Sequence, residues 1–329
     1  MSENKQISRK SLVRATLLAD VAEMYFIQQL NQSQIATQIG LTRSMVSRLL
    51  SEARQKGIVQ VYIKRPLVFD DDLGEQLADK LGINSAKVFY LSNPDDIHIL
   101  QRLGEAGARI MEESILPNMI IGIPWGTSIS ASIDHFSIEN KTHAKIIQLV
   151  GAVGAHNYDY DGHGIVQRLA QKIGGEGYFL NAPFVLESPE IVQGLLKNPA
   201  IKETMTMAKQ CDLAFLGLGS IELENSSFYK AGYVNPEELL YLKEQGAIGG
   251  VCGLHFDIQG NPRGLDFQSR LITIDRDTLI AIPRKIAVAA GSGKVKPIIG
   301  AARCGYINEI VTDYFTAQSI LEYIDKETD

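Results

Sequence analysis

The chain has 329 residues, 45% of them hydrophobic and 21% charged, with 32 Lys/Arg against 38 Asp/Glu and a net charge of −6. That length can bury a sizeable core and favours two domains over one. Three scattered cysteines, Cys211, Cys252 and Cys304, exclude a disulfide framework or a zinc knuckle, and no run of about eighteen apolar residues exists to span a membrane.

The polar start, Met-Ser-Glu-Asn-Lys-Gln, lacks an apolar signal core, so the expected location is the cytoplasm. Up to Pro66 ten Lys/Arg stand against four Asp/Glu, and the remainder carries twelve more acids than bases. A basic head on an acidic body suits anion binding, although a charge run by itself is usually a solvated face. Residues 12–30 place Leu17, Leu18, Val21, Ala22, Met24, Tyr25 and Ile27 at helical spacing. The next stretch, from Gln32 to Leu50, reads as two short helices. The first is apolar at Ile35, Ala36 and Ile39 and is stopped by Gly40, where glycine turns left-handed without steric cost. Thr42 caps the second, which is expected to bury Met45, Val46, Leu49 and Leu50 and to present Arg43, Ser44, Ser47 and Arg48 with Thr42. Two short helices, a glycine turn and an Arg/Ser/Thr face make a helix-turn-helix whose second helix fits the major groove. Gln34, Thr42, Arg43, Ser44, Ser47 and Arg48 are the expected DNA-contacting residues. Residues 58–64 alternate as a half-buried strand, suggesting a winged variant, and Arg65-Pro66 closes the unit. The expected domains are 12–66 and 67–329.

From Asp70 strands and helices alternate: a helix over 72–81, a strand over 86–91, a helix over 97–113 and a buried strand over 119–123. Further apolar runs fall at 146–150, 213–218, 286–289 and 309–312. Repeated strand-loop-helix units predict a doubly wound parallel α/β sheet, with ligands at the carboxyl ends of its strands. There the sequence places three glycine loops bearing hydroxyls. The first is Gly122-Ile-Pro-Trp125-Gly126-Thr127-Ser128, ahead of a helix, which makes an anion site. Gly217-Leu-Gly219-Ser220 and Gly291-Ser-Gly293-Lys294 repeat the theme. Together they point to an acidic or polyhydroxylated small molecule, most simply a sugar phosphate.

Other residues have blander readings. Trp125 is either core or a platform for a sugar ring. His156, Asp159, Asp161 and His163 fall within eight residues, but Asp161 or His163 can cap the helix over 166–172, and no metal or cofactor is expected. His255, between Leu254 and Phe256, reads as a satisfied core histidine, and Asp257 either starts a turn or reaches a ligand.

The blocks Gln34-Ile-Ala to Gly40-Leu-Thr-Arg-Ser-Met-Val-Ser-Arg-Leu-Leu50, Ala53-Arg54 and Gly57-Ile-Val59 resemble the head of the SorC family of sugar-responsive bacterial transcriptional regulators. Gly122 to Thr127, Leu180-Asn-Ala-Pro183, Gly246-Ala-Ile-Gly249 to Asp257, Ala290 to Lys294 and Gly305 to Asp313 resemble its effector domain. The resemblance implies a winged helix-turn-helix followed by a domain like the glucosamine-6-phosphate deaminase and ribose-5-phosphate isomerase group. It also implies a homotetramer, a dimer of dimers, on operator DNA, with affinity set by a sugar or sugar-phosphate effector. Thr127 and Ser128 match phosphate-binding positions, Lys294 the lysine of the last glycine loop, Asp257 an acid, and Lys230 a position where many relatives have arginine. With Trp125, Gly126, Gly219, Ser220 and Gly291 these are the expected effector-binding residues. Pro124, Val150 and Gly250 depart from the family pattern, each removing a polar group, and the loss at Val150 argues against a Schiff base there. The rival reading is a phosphosugar isomerase or deaminase, since the expected body fold also hosts enzymes.

Overall fold

The computed structural model describes residues 9–59, 66–94, 97–152 and 161–328. The chain separates into two units, residues 1–66 and 67–329.

In the first unit α1 (Arg9–Phe26), α2 (Gln32–Ile39) and α3 (Arg43–Gln55) surround one small core. Asn31 and Gln34 form a capping box at the start of α2, and Gly40 ends it at φ 67°. Thr42 Oγ1 accepts from Met45 N at 3.2 Å and so caps α3. Val46, Leu49, Leu50 and Ala53 pack on Leu18, Val21 and Ala22 of α1 and on Ile35 and Ala36 of α2. Two sequence expectations fail here. Met45 is 47% exposed, because it sits one position off the 46, 49, 50, 53 stripe. The first helix ends at Phe26, so Ile27 is 75% exposed, and the chain turns through Gln29 at φ 57°. Most of the strand expected over 58–64, and with it the wing, lies outside the described residues.

The second unit begins with α4 (Asp71–Leu81), β1 (Ser85–Phe89), α5 (Ile99–Ser114), β2 (Ile120–Ile123), α6 (Thr127–His135), β3 (Lys145–Gln148), α7 (Gly162–Ile173) and β4 (Glu176–Tyr178). It continues with α8 (Pro189–Leu196), α9 (Pro199–Ala208), β5 (Leu213–Leu216), β6 (Gly219–Ser220), α10 (Ser227–Lys230), α11 (Pro236–Glu244), β7 (Gly249–Val251), β8 (Leu254–Phe256) and β9 (Pro262–Arg263). The last stretch holds α12 (Leu265–Gln268), α13 (Arg276–Ala281), β10 (Arg284–Val288), a 3-10 turn (Ser292–Lys294), α14 (Val295–Arg303), β11 (Glu309–Asp313) and α15 (Tyr314–Thr328). Seven strands form one sheet in the order β1-β11-β10-β5-β2-β3-β4. Every pairing in it is parallel.

Alternation along the strands builds a core on each face, as expected of a parallel sheet covered on both sides. Leu213 and Phe215, with Ile286 and Val288, pack with α5, α6 and α7. Their neighbours Ala214, Leu216 and Ala287 pack with α4, α14 and α15. Hence the doubly wound α/β architecture. The sequence reading lacks β4 and the four-stranded antiparallel sheet β6-β7-β8-β9, whose strands are only two or three residues long. The helix expected over 166–172 starts earlier, at Gly162.

Candidate functional site

On α3 the exposed residues Arg43, Ser44, Ser47 and Arg48 fall at i, i+1, i+4 and i+5, one side of the helix, opposite the buried stripe. No acid pairs with either arginine among the described residues. Arg14 and Lys56 instead share Glu52, whose carboxyl their hydrogen bonds hold down at about 2. Two of the six expected DNA contacts have structural work as well. Thr42 caps α3, and Gln34 Oε1 accepts from Asn31 N at 2.9 Å, which leaves its NH2 free to donate.

In the larger unit the strand order reverses between β2 and β5. From β2 the chain steps outward to β3 and β4, and from β5 it steps the other way to β10 and β11. At such a switch point the loops leaving the strands diverge and open a crevice. A cavity of about 380 Å³ lies there, lined by residues after β2, β5 and β10. From β2 come Pro124, Trp125, Gly126, Thr127 and Ser128. Gly126, at φ 151°, supplies no side-chain cap, so the first amides of α6 are left to a ligand. From β10 come Gly291, Ser292, Gly293 and Lys294, and Gly291 has φ 100°, a conformation that disfavours any side chain. From β5 come Gly217, Leu218 and Gly219, and α10 and its approach add Asn225, Ser227, Phe228 and Lys230.

Lys294 Nζ donates to Leu218 O at 2.6 Å. Burial, reinforced by the charge of Lys230, pushes this ammonium down to about 8. Two cations in one cavity repel each other until an anion joins them. Trp125 answers its open question in both ways: it belongs to the core, 5.5 Å from the Phe228 ring and 6.2 Å from Phe184, and it lines the cavity.

Of the expected effector contacts, Trp125, Gly126, Thr127, Ser128, Gly219, Lys230, Gly291 and Lys294 meet at this cavity. Ser220 and Asp257 do not. Ser220 follows Gly219 on β6, so alternation turns it away, and its buried hydroxyl accepts from Glu222 N. Asp257 is buried in the turn after β8, where it accepts from Gln259 N, Asn261 N, the Asn261 side chain and Arg263. Burial works against its charge, but the Asn261 bonds and Arg263 outweigh it and hold the carboxyl below its usual range.

His255 is core, as expected, but its Nδ1 has no partner among the described residues, and burial pushes the imidazole down to about 4. Asp161 caps α7 by accepting from His163 N, and His163 stacks on Phe179. Residues 153–160, with His156 and Asp159, lie outside the described residues. Of the departures, Pro124 and Gly250 line the cavity, while Val150 is core. Sequence reasoning missed Asn225, Ser227 and Cys252. The first two stand in the polar stretch Glu-Asn-Ser-Ser, a visible signal, but nothing local marks Cys252, which with Gly253 makes the positive-φ turn between β7 and β8.

Residues 65–322 match the Sugar-bind family of sugar-binding domains, and residues 19–56 match sigma-70 region 4. The chain is 30% identical to the deoxyribonucleoside regulator of Bacillus subtilis, across 93% of this chain and 97% of that protein. It is 26% identical to the sorbitol operon regulator of Klebsiella pneumoniae, across 93% of this chain and 98% of that protein. The crystal structure of that full-length regulator, SorC, shares the fold with a TM-score of 0.71, covering 93% of this chain and 99% of that one.

Proposed function

The chain belongs to the SorC family of sugar-responsive bacterial transcriptional regulators, and from that premise we propose how it works. It is a sequence-specific DNA-binding regulator of a carbohydrate-utilisation operon, and a sugar or sugar phosphate modulates its operator binding. Residues 12–66 are the DNA-reading domain, with Gln34, Thr42, Arg43, Ser44, Ser47 and Arg48 as its contacts. Residues 67–329 bind the effector and hold the subunits together as a homotetramer in the cytoplasm. No helix among the described residues is long and apolar enough to cross a membrane.

The observation that carries the effector reading is the convergence of three glycine loops, one open helix N-terminus and two lysines on one cavity. Amide donors and paired ammonium groups recognise a phosphate, and the volume suits a small sugar body. Relatives named for deoxyribonucleosides and for sorbitol are consistent with a small carbohydrate. An isomerase or deaminase needs a positioned acid–base pair, and the described lining of this cavity contains lysines but no carboxylate or imidazole, which supports a binding role. Incubating the full chain with a panel of sugars and sugar phosphates, while following melting temperature, operator binding and turnover, tests the proposal. A stabilising ligand that shifts operator affinity and is recovered unchanged is the expected result; conversion of that ligand would move the protein to the enzyme class.

A further inference from the structure

The loop that carries Lys294 is Gly-Ser-Gly, with little side-chain packing of its own to fix its shape. Its fixed point is Gly291 N, which donates to Asp313 Oδ2 at 3.0 Å and to Thr316 Oγ1 at 2.8 Å. Asp313 ends β11 and Thr316 lies in the first turn of α15, and they are 1% and 2% exposed. The other carboxylate oxygen, Oδ1, accepts from Phe315 N at 2.9 Å and Thr316 N at 3.1 Å, and the Thr316 hydroxyl donates back to Oδ2. A carboxylate buried this deeply is tolerated only when its acceptor positions are filled. Capping α15 fills one oxygen and leaves the second, which is spent on the glycine loop.

We infer that Asp313 is a positioning residue for the anion site: with Thr316 it presets the 291–294 loop and ties that loop to α15. The inference rests on the cavity being the effector site. Because the Gly291 amide is held from behind, the following residues are delivered to the cavity without having to be ordered by the ligand, which is where preorganisation adds affinity. The tether also gives loop occupancy a rigid outlet. α15 packs Ala317 and Ile320 in one core with Leu77 of α4, with Leu321 and Ile324 beside them, and Lys80 of α4 bonds Asp325 at 2.6 Å. Thus a shift of the loop is felt at α4, the helix that opens this unit.

Asp313→Asn separates the two duties. An amide can turn its oxygen to the Phe315 and Thr316 N–H groups and keep the cap, but its NH2 then faces the Gly291 N–H, so the carboxylate half of the tether is lost and only the Thr316 half remains. Calorimetric titration of the full chain with inorganic phosphate reads the result. Asp313→Asn is expected to weaken phosphate binding about tenfold. Thr316→Val should do so several-fold and Thr316→Ser should bind as wild type, so this pair decides the matter if the Asp313 variant does not fold. Hydrogen exchange supplies a readout that a cap alone would not move: phosphate should protect the Phe315 and Thr316 amides in wild type and not in Asp313→Asn. If Asp313→Asn and Thr316→Val bind phosphate like wild type while Lys294→Ala does not bind it, the positioning role is overturned and the cavity remains the site. If phosphate binds and Lys294→Ala is indifferent to it, the effector reading and this inference fall together.

Discussion

Lys294 is protonated at neutral pH yet poised to lose its proton well below the ordinary lysine range, because burial and Lys230 both work against its charge. Its folded-state value of about 8 lies below its unfolded value near 10.5, so between the two the unfolded chain binds more protons and stability rises with pH. Affinity for a phosphorylated effector should do the opposite. It should be level near neutrality and fall as pH rises through the region of 8, where the binding ammonium is lost. Calorimetry at pH 7 and pH 9 checks this, and Lys294→Ala should flatten the profile while weakening the phosphorylated ligand by roughly one to two powers of ten. Asp257 calls for the contrary expectation. Asp257→Ala should cost about 1–3 kcal/mol of stability by stripping a buried turn of its acceptor, with effector affinity unchanged, as denaturant melts and ligand titrations would show together.

At the scale of elements, α3 carries the sharpest prediction. Arg43→Ala or Arg48→Ala should cost about 1–3 kcal/mol per base contact and abolish specific operator footprints while leaving the effector-dependent melting shift intact. A normal footprint from both variants would remove α3 from the major groove. This part of the chain was legible in sequence because local signals agree. Thr42 caps, Gly40 stops, and Val46, Leu49 and Leu50 mark the buried face, to which the structure adds the Asn31 cap and Ala53. Met45 was misread because adjacency to that stripe looks like membership in it. In the larger unit most of the parallel strands are legible as apolar runs, whereas β6 to β9 are not, since strands of two or three residues carry no periodicity. The same limit explains Ser220, whose side is set by a ladder that the sequence does not announce. Asp313 is a different case: its strand is legible, but its bond to the loop after β10 shows only once β10 and β11 lie side by side.

For the whole molecule, charge and topology divide the labour. Ten Lys/Arg in the first 66 residues, ahead of a body with a surplus of acids, concentrate in the head the positive charge that phosphate contacts on DNA would use. Operator affinity should therefore drop by orders of magnitude between about 50 and 200 mM salt. The body contributes a cavity at the switch point of its sheet, and a ligand there moves DNA affinity only by its differential affinity for the two states of the protein. The most direct test is an anisotropy titration of operator DNA by the full chain, with matched phosphorylated and free sugars, for wild type and Lys294→Ala. A phosphorylated sugar should shift wild-type operator affinity, its free counterpart should not, and the variant should bind operator normally but need roughly ten to a hundred times more effector. A free sugar that shifts both proteins equally, with its phosphorylated counterpart inert, would contradict the account.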